Sequence, residues 1–546
     1  MALSVPKAPG VSQMLKDGAR MYSGLEEAVF RNISACKEFA HIVRSAYGPN
    51  GMNKMVINHL EKQFVTSDAA TIITELDVEH PSAKLMVLAS QMQEHEVGDG
   101  TNFVIILAGA LLESAEELLR LGVTTTEIAD GYKSALVKVL EILPKSVCDT
   151  VDVQASINEP ESKVKDCIRS AVMSKQFGQE DFIADLVYRA CSSIYSEHFN
   201  VDNIRVCKIL GSSLTKSEIV NGMIFKRFVE GDITSATSAK VALYSCPVDI
   251  IQTETKGTVL IKSADELMKF SRGEENLLEQ QIKSIADTGC KVIVAGAKFG
   301  DMALHYCNKY GMMAVRLNSK FDLRRLSKAV NGIVLPRLTP PNQEELGYCD
   351  SVVVEELGDT GIVAFRNESK NRIATIVIRG ATDNFMDDIE RAINDGVNTF
   401  KTLTKDGRIV VGAGAVEMYL ATQLGEYADT LPGLDQYAVR KFASALEVFP
   451  KSLADNSGVN GSQVVDKLYS AHKSGSTQDG FDIDSEQAAT VNCYEKGIFE
   501  TYSSKFWGFK YAVEAAETIL KVDQIIMAKR AGGPKVRAPG QDQDED

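Results

Sequence analysis

The sequence predicts a base of long helices assembled from both ends of the chain, with an α/β module inserted between them. Three observations carry this reading. Apolar residues recur at helical spacing from Leu25 to about residue 145, and again from about residue 400 through 511–519. Between these stretches, residues 241–246, 259–261, 291–295 and 313–317 are β-rich and alternate with helical patterns at 301–310 and 321–329. Finally, Gly98-Asp99-Gly100-Thr101 stands directly in front of the apolar helical run 102–121.

Each element has a local reason. Residues 1–22 carry Pro6 and Pro9 and read as an irregular arm. Ser23-x-x-Glu26 is a capping box, followed by the stripe Leu25, Val29, Ile33, Cys36, Ala40 and Val43. That helix stops at Tyr47-Gly48-Pro49, because proline cannot continue it. Pro144 and the polar run 149–163 mark a boundary. In the middle module, Ser263-x-x-Glu266 opens a second capping box, and Leu267, Phe270, Leu277, Leu278, Ile282 and Ile285 make an amphipathic stripe. Such a stripe either packs onto its own module or projects to meet something else. The tail, with Gly532, Gly533, Pro534 and a terminal Asp-Gln-Asp-Glu-Asp, reads as disordered.

Composition narrows the function. The chain has 546 residues, 44% hydrophobic and 24% charged, enough for three or four ordinary domains. A formal net charge of −15 disfavours nucleic acid or an anionic membrane as main partner. No secretory signal is visible at the start, and the apolar run 103–112 is too short to span a bilayer. The 10 cysteines form no C-x-x-C pair and read as buried, reduced thiols; the 7 histidines are dispersed, and His95 reads as a surface or packing residue. These features exclude an obvious metalloenzyme. No Gly-Lys dipeptide occurs, which excludes an ordinary P-loop. Gly412-Ala413-Gly414 superficially matches a dinucleotide loop, but Glu417 occupies the third glycine position.

The Gly98–Thr101 junction carries the chemistry. Glycines let the backbone approach a ligand, and the following helix presents free N–H groups and a positive dipole end to phosphate. Asp99 would repel a bare phosphate, so the acid makes sense with a bridging cation such as Mg²⁺. The plainer alternative is a tight turn with a capping Asp. Tyr47-Gly48-Pro49-Asn50-Gly51-Met52 is a rigid turn able to lie against a ligand or simply to end a helix. Asp68 lies between a short strand and a helix, where N-capping is its ordinary role. Asp395 sits in a charged helical stretch, where an exposed Asp would mean nothing by itself.

Together and in this order, these segments resemble the group II chaperonins, over essentially residues 10–530. The wording of Tyr47 to Lys54, of Phe177 through Asn203, and of Val522 to Lys529 is similar to that of subunits of the eukaryotic cytosolic chaperonin, CCT or TRiC. The resemblance implies a multidomain chaperonin fold. A mainly α equatorial domain would come from both chain ends (1–148 and 405–530). An α/β intermediate domain would span 149–221 and 371–404. An α/β apical substrate-binding domain would span 222–370, with a helical protrusion at about 255–290, and 531–546 would be a disordered tail.

The resemblance also implies ATP and Mg²⁺ as cofactors, ATP hydrolysis coupled to protein folding, and a cytoplasmic location. Partners would be other CCT subunits in two stacked eight-membered rings and unfolded clients such as actin and tubulin, with neither nucleic acid nor membrane involved. Carried over residue by residue, Asp99 is the Mg²⁺ ligand. Tyr47, Gly48, Pro49, Gly98, Gly100, Thr101 and Asn102 bind nucleotide. Asp68 and Asp395 position and deprotonate the attacking water. Gly412 and Gly414 lie near the ribose and base, Glu500 contacts the nucleotide, and Lys175 senses the γ-phosphate.

Several residues depart from the family pattern. Ser67-Asp68-Ala69 replaces Asn-Asp-Gly, Asn102 and Phe103 replace two threonines, Ala413 replaces a glycine, and Glu500 replaces an Asp. The alternative reading is therefore a weakly hydrolysing, structural and substrate-binding ring subunit.

Overall fold

The computed structural model describes residues 20–24, 28–156, 162–196, 199–249, 262–358, 360–367, 372–485 and 488–527. Residues 1–19, Leu25 and Glu26 of the first capping box, the β-rich stretch 259–261, the start of the expected protrusion, Ala528, Lys529 and the tail 531–546 lie outside the described residues. So do the side chains of Glu266, Leu267 and Phe270.

The first part runs β1 (Arg20–Ser23), α1 (Phe30–Arg44), β2 (Lys54–Ile57), β3 (Gln63–Thr66), α2 (Ala69–Glu75), α3 (Pro81–Glu96), α4 (Thr101–Arg120), α5 (Thr125–Ile142) and β4 (Val147–Thr150). Helix α1 begins at Phe30 with Val29 as its N-cap, and Ser23 ends strand β1, so the expected capping box does not open it; of the stripe, Ile33, Cys36 and Val43 are fully inside. The hairpin β2–β3 interrupts the mainly helical stretch expected to residue 145; its second strand is the short strand read before Asp68, and β2 is an addition. Its period-two pattern, with Val56 buried between exposed Met55 and Ile57, belongs to a strand and escapes a helical template. Helix α4 is apolar nearly all round. Val104, Ile105, Leu107, Leu111 and Leu112 are fully buried, each stabilising by roughly 1.5–3 kcal/mol. Its position, and that of its N-terminus, is thereby fixed.

The middle runs α6 (Lys163–Met173), α7 (Glu180–Ser193), β5 (Ile204–Leu210), β6 (Glu218–Phe225), β7 (Ser235–Tyr244), α8 (Ala264–Asp287), β8 (Cys290–Ala295), α9 (Asp301–Lys309), β9 (Met313–Arg316), α10 (Lys320–Val330), β10 (Val334–Leu335), β11 (Gly347–Leu357), β12 (Thr360–Arg366) and β13 (Ala374–Gly380). These strands form one mixed sheet in the order β5-β13-β6-β12-β11-β7-β8-β9, with β10 beside β7. The β-rich readings at 241–246, 291–295 and 313–317 match β7, β8 and β9. Their antiparallel neighbours β6, β11 and β12 are additional findings. In α8, Leu278, Ile282 and Ile285 pack beneath the sheet against Tyr244 and Ile293, while Leu277 stays exposed. This part of the stripe therefore packs on its own module.

The last part runs α11 (Asp383–Lys405), β14 (Arg408–Val411), α12 (Ala415–Ala428), α13 (Asp435–Leu446), α14 (Val448–Asn456), α15 (Gly461–Lys473), β15 (Asp479–Phe481), β16 (Thr490–Asn492), β17 (Phe499–Thr501), α16 (Tyr502–Leu520) and β18 (Gln524–Met527). One apolar core takes its residues from Val29 to Leu143 and from Val410 to Leu520, so both ends of the chain build one body. Strands β1 and β18 pair antiparallel, Arg20 opposite Met527. Strand β14 lies between β4 and β17. A second core joins α6 and α7 to α11 and β13. All 10 cysteines are free thiols, eight of them buried. His95 is exposed. Among the described residues, no helix is long and apolar enough to cross a membrane.

Candidate nucleotide site

The turn from α3 into α4 is held from below. Gln93 Nε2 donates to Asp99 O at 2.9 Å and to Ser504 O at 3.2 Å. Asp99 Oδ1 accepts the Gly100 N–H at 2.6 Å. Gly100 is the N-cap of α4 with φ +81, and an added Cβ would lie 2.8 Å from Ser504 Oγ, so the position needs glycine on both counts. No side chain caps α4. Its first N–H groups therefore offer positive partial charge at the rim of a cavity of about 300 Å³, the lower end of the range for ligand sites.

That cavity gathers most of the residues singled out from the sequence. Tyr47, Gly48, Pro49, Asp68, Asp99, Gly100, Thr101, Asn102, Lys175, Asp395 and Glu500 all line it. Gly98, Gly412 and Gly414 stand behind the lining: Gly98 against Asn398, Gly412 against Ile498 and Glu500, Gly414 against Pro450. Ala413 does line it, at φ +53, a left-handed conformation that an alanine adopts at a cost of roughly 1–2 kcal/mol. Asp68 is the N-cap of α2, its carboxylate accepting from Thr71 N at 3.1 Å and Thr71 Oγ1 at 2.7 Å. Asp395 is 6% exposed, buried on the inner face of α11, so the reading of it as an exposed surface acid does not hold. Phe103 also lines the cavity, its ring stacked on Phe449 at 4.3 Å between centroids. The side chain that replaces a threonine there supports the helix and offers a ligand no hydroxyl.

Two buried lysines organise the charge. Lys175 Nζ lies 3.0 Å from Asp68 Oδ1 and also pairs with Asp395 Oδ2. Burial alone would lower its pKa, but Asp395 and Asp68 outweigh burial and raise it. For Asp68, burial is overcome by Lys175 and the Thr71 hydrogen bonds, which hold the carboxyl below its ordinary range. One lysine cannot satisfy every neighbouring acid. Burial drives Asp395 well above its ordinary value; Lys175 opposes this, while Asp99 and Asp68 reinforce it. Burial likewise raises Asp99 against the pull of Lys175. Glu94, also in the lining, is pushed up to about 7 by burial and by Asp68.

At the other end of the cavity, Lys505 Nζ bridges Glu417 Oε1 and Glu500 Oε2, each at 2.6 Å, and lies 4.6 Å from the Phe103 ring centre. Sequence reading missed Lys505 and Glu94. A signal existed for Lys505: it interrupts the buried stripe Tyr502, Phe509, Ala512, Val513 and Ala516 of α16, where a charge needs a partner. Glu94 has no such signal, since its role is set by the turn five residues later.

The residues fit a magnesium-bound nucleotide. Several acids share one lysine, and Asn102 Oδ1 is buried without a hydrogen-bond partner in the cavity wall. Among the described residues, no three His, Cys, Asp or Glu side chains converge tightly enough to hold a metal alone. A cation here would take one or two carboxylates and complete its shell with phosphate oxygens, as Mg²⁺ ordinarily does.

A family model described as the TCP-1/cpn60 chaperonin family matches residues 39–530. The chain belongs to the TCP-1/cpn60 chaperonin family. Among curated proteins it is 59% identical over 549 residues to T-complex protein 1 subunit theta of Homo sapiens, covering 100% of both chains. It is equally similar to the Gallus gallus protein of that name, and 52% identical over 552 residues to that of Caenorhabditis elegans. The likeness read at 47–54, 177–203 and 522–529 is to theta subunits, and these relatives extend it along the full chain. This is a chaperone family of ATP-dependent members, and a theta-type chain works within a hetero-oligomeric chaperonin.

Proposed function

We propose that this chain binds and hydrolyses ATP as a folding subunit of a double-ring chaperonin. The observation that carries the reading is the convergence of Asp68, Asp99 and Asp395 on one cavity at the uncapped N-terminus of α4. In this account the α4 amides and Thr101 receive the phosphates, Asp99 would hold Mg²⁺, and Tyr47, Gly48 and Pro49 flank the nucleotide. When bound, Mg²⁺ neutralises phosphate charge. Asp395 takes the proton of the attacking water, a task suited to a buried carboxyl whose affinity for protons is raised. Asp68, held by Thr71, orients that water. Lys175 leaves its carboxylate partners for the terminal phosphate as that group arrives, so charge neutralisation and release of the base are one event.

The same proposal assigns 1–148 and 405–530 to an equatorial domain, 149–221 and 371–404 to an intermediate domain, and 222–370 to an apical domain that holds unfolded clients such as actin and tubulin. It places the chain in eight-membered rings in the cytoplasm. Because Asp395 lies almost 300 residues beyond Asp99, on a separate core, hydrolysis reports closure of one body on the other.

A second reading, a weakly hydrolysing scaffold subunit, draws on the strained Ala413 and on Phe103, which lines the cavity without a hydroxyl. Nucleotide occupancy of this chain in the assembled particle, solved with Mg²⁺ and a non-hydrolysable ATP analogue, separates the two. Occupancy matching the neighbouring subunits supports hydrolysis here, and an empty cavity supports the scaffold.

A further inference from the structure

Beyond the acids and Lys175, a second set of contacts ties the same three segments together. Asp388 lies seven residues before Asp395 on α11. Two helical turns separate them, so both face the same way, about 10 Å apart along the axis. Asp388 is 7% exposed and Thr66 fully buried. Thr66 Oγ1 donates to Asp388 Oδ1 at 2.7 Å and accepts the backbone N–H of Asp68 at 3.1 Å. Arg391 Nη1 reaches the same Oδ1 at 3.1 Å, and Gln176 Nε2 approaches Oδ2 at 3.5 Å. Gln176 directly follows Lys175, which holds Asp68 and Asp395.

The geometry forms a closed circuit. Starting at Asp68, it passes through the Thr66 hydroxyl to Asp388, along α11 to Asp395, and back through Lys175 to Asp68. Surface polar contacts contribute little, but a buried carboxylate depends on each donor it has, and a hydrogen bond to a charged group is worth about 1.5–3 kcal/mol. Neither Thr66 nor Asp388 lines the cavity, so neither touches nucleotide.

We propose that Thr66 and Asp388 form a latch that sets α11, and with it Asp395, against the Asp68 turn; both are positioning residues. The latch rests on the functional reading above, since it matters for hydrolysis only if Asp395 acts on bound ATP. Its effect falls on turnover: loosening α11 withdraws the base while the phosphate-facing amides of α4 stay in place.

The test uses assembled particles carrying Thr66→Val, Thr66→Ser or Asp388→Asn in this chain. Three readouts are specific to it: amide exchange across 383–399 by mass spectrometry, photolabelling by azido-ATP, and the ADP recovered on the labelled chain. Thr66→Val replaces only the hydroxyl with a methyl and should speed exchange over 383–399 by about ten-fold or more. It should slow ADP formation by a similar factor, with labelling within about two-fold of the parent. Thr66→Ser restores the hydroxyl and should recover both. Asp388→Asn keeps an acceptor for Thr66 and should fall between them. Parent-like exchange in Thr66→Val, or a Thr66→Ser variant as impaired as Thr66→Val, would overturn the latch. A parent chain that takes no azido-ATP would refute the functional reading instead, and exchange in nucleotide-free particles would still decide the latch.

Discussion

The ion triad at the foot of α16 gives the most quantitative test. Lys505 is 3% exposed and Glu417 fully buried. Lys505 Nζ contacts both Glu417 and Glu500 at 2.6 Å and lies over the Phe103 ring. Glu417 Oε2 has no hydrogen-bond partner even with the lysine present, so Lys505→Met strands a desolvated carboxylate. Breaking a buried pair from one side costs about 3–5 kcal/mol, and loss of the cation–π contact adds roughly 1–2 kcal/mol. A single global stability is poorly defined for a chain with several cores. The assay is therefore local opening, read as amide exchange across 502–513, which should accelerate by more than about a hundred-fold. Glu417→Gln added to Lys505→Met removes the stranded charge and should recover more than half of the loss. A change below about three-fold in the single variant, or no recovery in the double, would refute the argument that charge burial governs this wall.

Other predictions follow from particular side chains. Glu94 titrates near 7 when folded, because of burial and the nearby Asp68, against about 4.5 ordinarily. The folded state then holds the extra proton between those values, so the free energy of opening α3 in the nucleotide-free subunit should fall as pH rises from about 4.5 to 7, by on the order of 1–3 kcal/mol. Glu94→Gln should flatten that slope in the local opening of α3, read as amide exchange over 81–96 corrected for the intrinsic rate at each pH, and an unchanged slope would exclude Glu94 as its source. Ala413→Gly relieves a left-handed alanine and should stabilise by up to about 1 kcal/mol, the gain being partly offset by glycine's chain entropy. A loss above about 1 kcal/mol in the opening free energy of α12, read as amide exchange over 415–428, would contradict the strain. Asp99→Asn should abolish the dependence of nucleotide labelling on added Mg²⁺, and labelling that EDTA still reduces as in the parent would remove Asp99 from that role.

The helical base was legible because its signals are local. The α1 stripe, the α4 run and the proline stop at Pro49 are read from neighbouring residues, and the structure buries them as the spacing requires. Of the hairpin β2–β3 only the short strand before Asp68 was legible; β2 was not, since a four-residue strand is shorter than any helical window that covers it. Strand β6 was missed because its partners β12 and β13 lie far along the chain; β11 and β12 form a local hairpin, Leu357 opposite Thr360, whose signal in the sequence went unread. In the site, glycine turns and acids stood out by residue type. Asp395 was named by the family resemblance alone; its physical setting emerges only where α11 brings it, together with Lys175 of the same core, to Asp68 of the other. Lys505 was visible in principle as a charge on an apolar face. Glu94 and the Thr66–Asp388 contact depend on three-dimensional proximity alone.

The central claim is that Asp395 removes a proton during hydrolysis in a cavity that binds nucleotide without it. The direct measurement is azido-ATP labelling of Asp395→Ala in the assembled particle, followed by the ADP-to-ATP ratio on the labelled chain. The account predicts labelling within a few-fold of the parent and ADP formation slowed by about 10²–10⁴. ADP formation at the parent rate, with labelling intact, would contradict it.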